Sequence, residues 1–181
     1  MIILSGQPMP ALIGDDAAAE VYATRDLRIA GAIAPSGSAT RVSGGYRVSG
    51  QWQWNSGGVH SNWVAVGALT TEEGPVHRIF LIPVSQTVQL DTWHAAGLAG
   101  TASNGIRIDD VFVPSSRTLP LEQMMDGHFP QRRYSANPYF NRPWVMLANF
   151  SAGATMLGMA RGAMDVFMDA LPTRGPDTAF L

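Results

Sequence analysis

The sequence predicts a mainly β protein with α, a small antiparallel β-barrel followed by one long C-terminal helix. Three observations predict it. From Leu27 to Pro114 the chain alternates short apolar runs with Gly- and Pro-rich breaks, the punctuation of a small barrel or sandwich. Residues 46 to 54 alternate strictly, with Tyr46, Val48, Gly50, Trp52 and Trp54 on one side and Arg47, Ser49, Gln51 and Gln53 on the other, which is the period of a half-buried strand. After about residue 120 the composition changes, and "WVMLANFSAGATMLGMARGAMDVFMDAL" runs without a proline until Pro172.

In chain order, "DDAAAEVY" (15–22) has room for one or two helical turns. "LRIAGAIAP" reads as a strand leading into turn residues "SGSAT". "GYRVSGQWQW" is the alternating strand, and it stops at Asn55-Ser56-Gly57-Gly58. "NWVAVGAL" and "VHRIFLIP" read as a hairpin around "TTEEGP". "TVQL" is short, "DTWHAAGLAGTASNG" reads as a long loop, and "IRIDDVFVP" resumes the alternation. The C-terminal helix starts near Pro143, a favourable first-turn residue. The expected division is a short N-terminal segment (1–24), a barrel (25–120), an irregular linker (121–142) and the start of a helical domain (143–181).

Composition narrows the function. The chain has 181 residues, 46% apolar and only 14% charged, with net charge −2. That balance gives no electrostatic case for nucleic acid or an anionic membrane. Cysteine is absent, and all 12 basic residues are arginine. Thiolate chemistry, Schiff-base lysine and P-loop lysine are therefore excluded from this sequence. The start "MIILSGQPMPALIGDD" lacks a basic n-region, so a cytoplasmic location is expected. Residues 143–160 carry no charge, but Asn149, Ser151, Gly153, Thr155 and Gly158 interrupt them. We read a soluble helix buried on most sides, whose cover comes from oligomerisation or from a further domain.

The ionisable residues form no obvious acid–base or metal constellation. His60, His77, His94 and His128 lack metal-motif spacing. His77 falls in a strand and reads as a surface residue, while His60 and His94 stand in loops beside Gly-rich turns. Asp109 and Asp110 read as satisfying turn donors near a strand end. What remains are two loops of small residues next to aromatics, "WNSGG" (54–58) and "WHAAGLAGTASNG" (93–105). Such loops bring backbone N–H groups close to a flat polar ligand, and a tryptophan offers a π-face, which together suit a flavin ring. Aromatics on one strand face are also ordinary core, and the pattern alone leaves that alternative open.

The stretches "GGYRVSGQWQWNSGGVHSNWVAVGA" and "DTWHAAGLAGTASNGIRIDDVFVP" resemble the middle β-domain of the acyl-CoA dehydrogenase superfamily. The closer likeness is to oxygenase components of two-component flavin-dependent monooxygenases, of the 3-HSA hydroxylase and p-hydroxyphenylacetate hydroxylase type. It covers roughly residues 20–171 and includes Arg161, which matches the first helix of the family's C-terminal bundle. The resemblance implies reduced FMN or FAD as cofactor, a flavin reductase as its supplier, and a small aromatic or similar substrate hydroxylated with O2. It places Trp54, Asn55 and Ser56 where the family's strand end meets the flavin, Ser56 as a hydroxyl near the reactive edge of the ring. Residues 33–40, "IAPSGSAT", match the segment over the pyrimidine side. There Ala34 stands where dehydrogenases usually carry Glu, and Ala39 where they carry Asp. The expected cofactor-binding residues are thus Ala34, Trp54, Asn55 and Ser56, with no catalytic, substrate-binding or metal-ligating residue assigned.

The same resemblance implies a helical domain before the barrel and a complete bundle after it. The chain is therefore expected to be a truncated or shortened form that lacks a complete active site alone, working as a homo-oligomer or with a partner that supplies helices. The alternatives are an acyl-CoA dehydrogenase-like CH–CH oxidoreductase and a non-catalytic barrel that acts as a binding module.

Overall fold

In the computed structural model, residues 6–72, 74–130, 133–173 and 175 are described. Two short helices, α1 (Met9–Ile13) and α2 (Asp15–Tyr22), precede seven strands: β1 (Ile29–Val42), β2 (Gly45–Trp52), β3 (Trp63–Thr70), β4 (His77–Pro83), β5 (Val88–Leu90), β6 (Gly105–Pro114) and β7 (Thr118–Pro120). Helix α3 (Leu121–Asp126) and the long α4 (Trp144–Ala170) follow. The strands form one sheet in the order β5-β6-β2-β1-β3-β4-β7. All neighbours are antiparallel except β1 and β3, which run parallel.

The sheet is curled. Strands β2 and β4 are three steps apart in the order, roughly 14 Å across a flat sheet at about 4.8 Å per step. Yet the Tyr46 and Phe80 rings meet edge to face with centroids 5.5 Å apart, and the Arg78 guanidinium lies 5.2 Å from the Tyr46 centroid. The inner face closes on Val48, Trp52, Val64, Val66, Phe80, Ile82, Ile106 and Ile108. Strand alternation sends Trp63, Ala65, Ile79 and Leu81 to the other face, where Met9, Ile13, Ala17 and Val21 of α1 and α2 and Met124 of α3 cover them. Two apolar layers on one sheet explain why β3 reads as a continuous apolar run rather than an alternating one.

One irregularity shapes the site. Between Ala32↔Val66 and Gly37↔Ala68 the β1–β3 register shifts, so residues 33–36 stand opposite Gly67 alone. The Gly67 carbonyl instead accepts the Trp52 indole N–H at 2.7 Å, a buried bond. A Cβ on Gly67 would lie 2.0 Å from Ile33 O, so only glycine permits this approach. The paired Gly37 and Gly50 leave the space that the indole fills, since a Cβ on Gly37 would lie 2.3 Å from the ring. His77 Nε2 is 2.8 Å from the Ile33 carbonyl. It is half-buried and braces the bulge, so it is not the free surface residue the sequence suggested.

Other expectations need correction. "SGSAT" is not a turn: β1 runs through it, and the turn falls at Ser43-Gly44, with Gly44 at φ 79°. Trp54 does not share the buried face of β2, because the strand ends at Trp52 and Trp54 turns out at φ 60°. Asp109 and Asp110 lie within β6, not in a turn; they pair with Arg107 at 2.9 Å and Arg47 at 3.4 Å beside the β2–β6 register shift. The linker region contains α3 and a short 3-10 turn at Pro138–Asn141.

Helix α4 begins after Pro143, as the sequence indicates. Within this chain alone it is uncovered: Phe150 is 73% exposed, and Met156, Leu157 and Val166 are also exposed. Its first residue, Trp144, packs against the outer apolar layer. Among the described residues no helix is long and apolar enough to cross a membrane.

Trp52→Phe removes the indole hydrogen bond to the Gly67 carbonyl and leaves a partly filled space between two glycines. We expect a loss of about 2–4 kcal/mol, read as a lower urea midpoint at unchanged m-value.

Candidate functional site

The chain leaves β2 through a tight turn and returns to the same place before β6. In the first segment Ser56 N–H donates to Trp54 O at 2.8 Å, and in the second Asn104 N–H donates to Ala102 O at 2.7 Å. Each is an i→i+2 turn, and each opens on a non-glycine residue in the left-handed region: Trp54 at φ 60° and Ala102 at φ 43°. Leu98, at φ 56°, adds a third in the same loop. Such residues cost roughly 1–3 kcal/mol each and persist only where their surroundings hold them. Three of the five such residues among those described lie in these two facing segments, the others being Asp26 and Asp110, so backbone strain is concentrated at this corner.

What holds them is a set of cross-links. Asn55 N–H donates to Asn104 O at 3.0 Å, and Gly57 N–H to Thr101 O at 2.8 Å. Asn104 Oδ1 accepts the backbone N–H groups of both Thr92 and Trp93, at 3.0 and 2.8 Å. Thr92 Oγ1 in turn accepts Gly105 N–H at 2.8 Å. The Trp93 indole donates to Leu98 O at 3.2 Å. Three hydroxyls run between the segments: Thr101 Oγ1 lies 2.7 Å from Ser103 Oγ, which lies 2.7 Å from Ser56 Oγ.

The expected site residues separate into three groups. Trp54 is 74% exposed and presents its ring to solvent. Ser56 is half-buried at the open end of the hydroxyl chain. Asn55 points inward instead: it is 1% exposed, and its amide atoms are buried with no hydrogen-bond partner among the described residues, as are those of Gln89. A Cβ on Gly58 would lie 2.2 Å from Asn55 Nδ2 and 3.5 Å from Gln89 Oε1, so both amides abut this glycine. Ala34 is exposed on the β1 bulge. The register Gly37↔Gly50 runs the bulge and the end of β2 along the same edge of the sheet, so Ala34 and Trp54 emerge from neighbouring strands.

Sequence reasoning did not assign Thr101, Ser103, Asn104 or Thr92. The signal lay in "GTASNG", where small hydroxyl and amide residues stand between glycines, a composition suited to side-chain hydrogen bonds onto the backbone. His60 is exposed, and exposed His94 lies 3.7 Å from Asp91; among the described residues neither side chain joins the cross-links between the two segments. Among the described residues no group of His, Asp and Glu could hold a metal ion. An apolar groove along α4, lined by Met146, Asn149, Phe150, Gly153, Ala154 and Leu157, shares no residue with this corner.

The corner offers a π-face, an accessible hydroxyl and rigid polar backbone, the contacts that a flat heteroaromatic ring with polar edges requires.

Comparison with known proteins follows the same line. No family model matches the chain. It is 39% identical over 163 residues to a pigment production hydroxylase of Rhodococcus sp. (strain ATCC 21145), covering 88% of this chain and 42% of that protein. It is 34% identical over 173 residues to the FADH(2)-dependent resorcinol hydroxylase, oxygenase component, of Rhizobium sp. (strain MTP-10005), covering 93% and 42%. The crystal structure of 3-HSA hydroxylase from Rhodococcus sp. RHA1 superposes with a TM-score of 0.86 at 34% identity, over 97% of this chain and 47% of that one. The chain thus spans less than half the length of the relatives it matches.

Asn104→Ala removes the acceptor shared by two backbone N–H groups. We expect faster amide hydrogen exchange at Thr92 and Trp93 and a loss of about 1–2 kcal/mol, with the exchange of β3 amides unchanged.

Proposed function

We propose, from the premise that this chain is homologous to the oxygenase components of two-component flavin-dependent monooxygenases and shares their acyl-CoA dehydrogenase-like fold, that its linked corner binds reduced flavin for hydroxylation of a small aromatic substrate. The observation that carries the reading is the exposed Trp54 at a left-handed φ beside the Ser56 hydroxyl, both held by cross-links to 92–104. Bound flavin supplies the two electrons that place one atom of O2 on the substrate and release the other as water.

The chain's own contribution is position and exclusion of water. Trp54 offers the stacking face, Ser56 a polar contact at the ring edge, and the β1 bulge at Ala34 a neighbouring backbone rim. Asn55 acts from below, through its backbone bond to Asn104 and by filling the space under Gly58. In this reading Trp54, Ser56 and Ala34 contact the cofactor, and Asn55 completes the set as their support.

Ala39 speaks against acyl-CoA dehydrogenation. It is fully buried in the inner apolar layer, where the carboxylate usual in dehydrogenases would be desolvated.

Reduced FMN or FAD arrives from a separate flavin reductase, and the protein works in the cytoplasm. The exposed apolar surface of α4 is far larger than a solvated helix needs. Helices of a second copy or of a partner cover it in the working assembly. On this reading residues 25–120 are the flavin-contacting barrel, 1–24 and 121–142 are connecting segments, and α4 opens a helical domain.

The test is anaerobic titration with reduced FMN and reduced FAD, read by tryptophan fluorescence. Saturable quenching is expected, and Trp54→Ala should weaken binding about tenfold through the loss of a stacking face. Binding unaffected by Trp54→Ala would place the ring elsewhere.

A further inference from the structure

A hydroxyl group has one proton and two lone pairs, so a chain of hydroxyls has a direction. Here the direction is set at one end. Thr101 Oγ1 donates to the Leu98 carbonyl at 2.9 Å, and a carbonyl can only accept. With its proton committed, Thr101 Oγ1 can meet Ser103 Oγ only as an acceptor. The 2.7 Å contact is then filled by the Ser103 proton. Ser103 has no second proton, so the 2.7 Å contact with Ser56 is filled by the Ser56 proton. Both contacts have the length typical of O–H···O bonds, and Ser103 is only 5% exposed, which denies it solvent as an alternative partner. Bonds aligned in this way reinforce one another.

Ser56 ends the chain with its proton turned inward and its lone pairs facing out. Resting on the flavin reading above, we propose that Thr101 and Ser103 are positioning residues that hold Ser56 as a hydrogen-bond acceptor. The corner then favours a ring edge that carries an N–H over the same edge without one. Flavin changes in that respect on reduction: N5 is a bare acceptor in the oxidised ring and an N–H donor in the reduced ring. An oxidised N5 facing Ser56 would set lone pair against lone pair and leave both unsatisfied, whereas a reduced N5 completes the chain to Leu98 O. The hydroxyl relay thereby serves as a redox-state selector, and its deciding residue is Thr101, which need not touch the ligand.

The test compares affinities rather than turnover. The full chain is titrated anaerobically with FAD and FMN, each oxidised and reduced, by calorimetry. Reduced flavin should bind on the order of tenfold more tightly, the worth of one hydrogen bond exchanged for an unsatisfied pair. Thr101→Val frees the Ser103 proton to turn toward Ser56, and the Ser56 proton to turn outward. The reduced-to-oxidised preference should then collapse toward one, chiefly because the oxidised form binds better. Thr101→Ser should restore it, and Ser103→Ala should reproduce the loss. Thr101→Val weakening both redox states by the same factor, with the preference intact, would show a merely structural threonine and overturn the proposal. Equal wild-type affinity for the two states would overturn it while leaving flavin binding in place. Binding of neither state would overturn the flavin reading itself.

Discussion

The buried bond from the Trp52 indole to the Gly67 carbonyl is the constraint on which the rest of the molecule depends. It stands where β1 leaves its register with β3, and it satisfies a carbonyl that the ladder abandons. Three glycines make it possible, Gly67 by admitting the Ile33 carbonyl and Gly37 with Gly50 by admitting the ring. Trp52 is pinned inward where β2 ends, and the chain then turns out through Trp54 and Ser56. The same bulge lifts Ala34 to the same edge. A core interaction thus fixes the place from which the exposed groups project, which is how a rigid scaffold positions a site on loops.

The corner itself is built from local strain held by polar cross-links. Three left-handed non-glycine residues would be unfavourable in free loops. Here each lies in a segment tied by bonds to Asn104, Thr101 or Leu98. This arrangement keeps a tryptophan ring in water and a hydroxyl at the rim, neither of which serves folding. Helix α4 carries the opposite feature, apolar surface without cover. The first suits a flat ring and the second suits other helices, and they fall on different parts of a chain that spans less than half the length of the relatives it matches.

Much of this was legible in the sequence. The strand runs, the hairpin around 71–76, the loop 91–104 and the start of α4 after Pro143 all follow from periodicity and punctuation. The family resemblance holds, and the homologues match it. The failures have physical causes. "SGSAT" looks like a turn by composition, but small residues there make room for the Trp52 ring against β1. Trp54 fits the alternation of β2, but the backbone reverses its direction with one left-handed residue, which no period reveals. Asn55 was expected at the cofactor from the family resemblance; its side chain is buried against Gly58, an inward turn that no sequence pattern reveals. Thr101, Ser103 and Asn104 stayed unassigned because their role depends on distance across two loops about fifty residues apart in the chain.

The central claim, that the corner joining 54–58 to 92–104 is the flavin-binding surface, is tested most directly by amide hydrogen exchange with and without reduced flavin under anaerobic conditions. The account predicts new protection at residues 34–36, 54–58 and 98–104, with little change along α4. Saturable binding that leaves these three segments unchanged, with protection confined to the groove at Met146–Leu157, would contradict it.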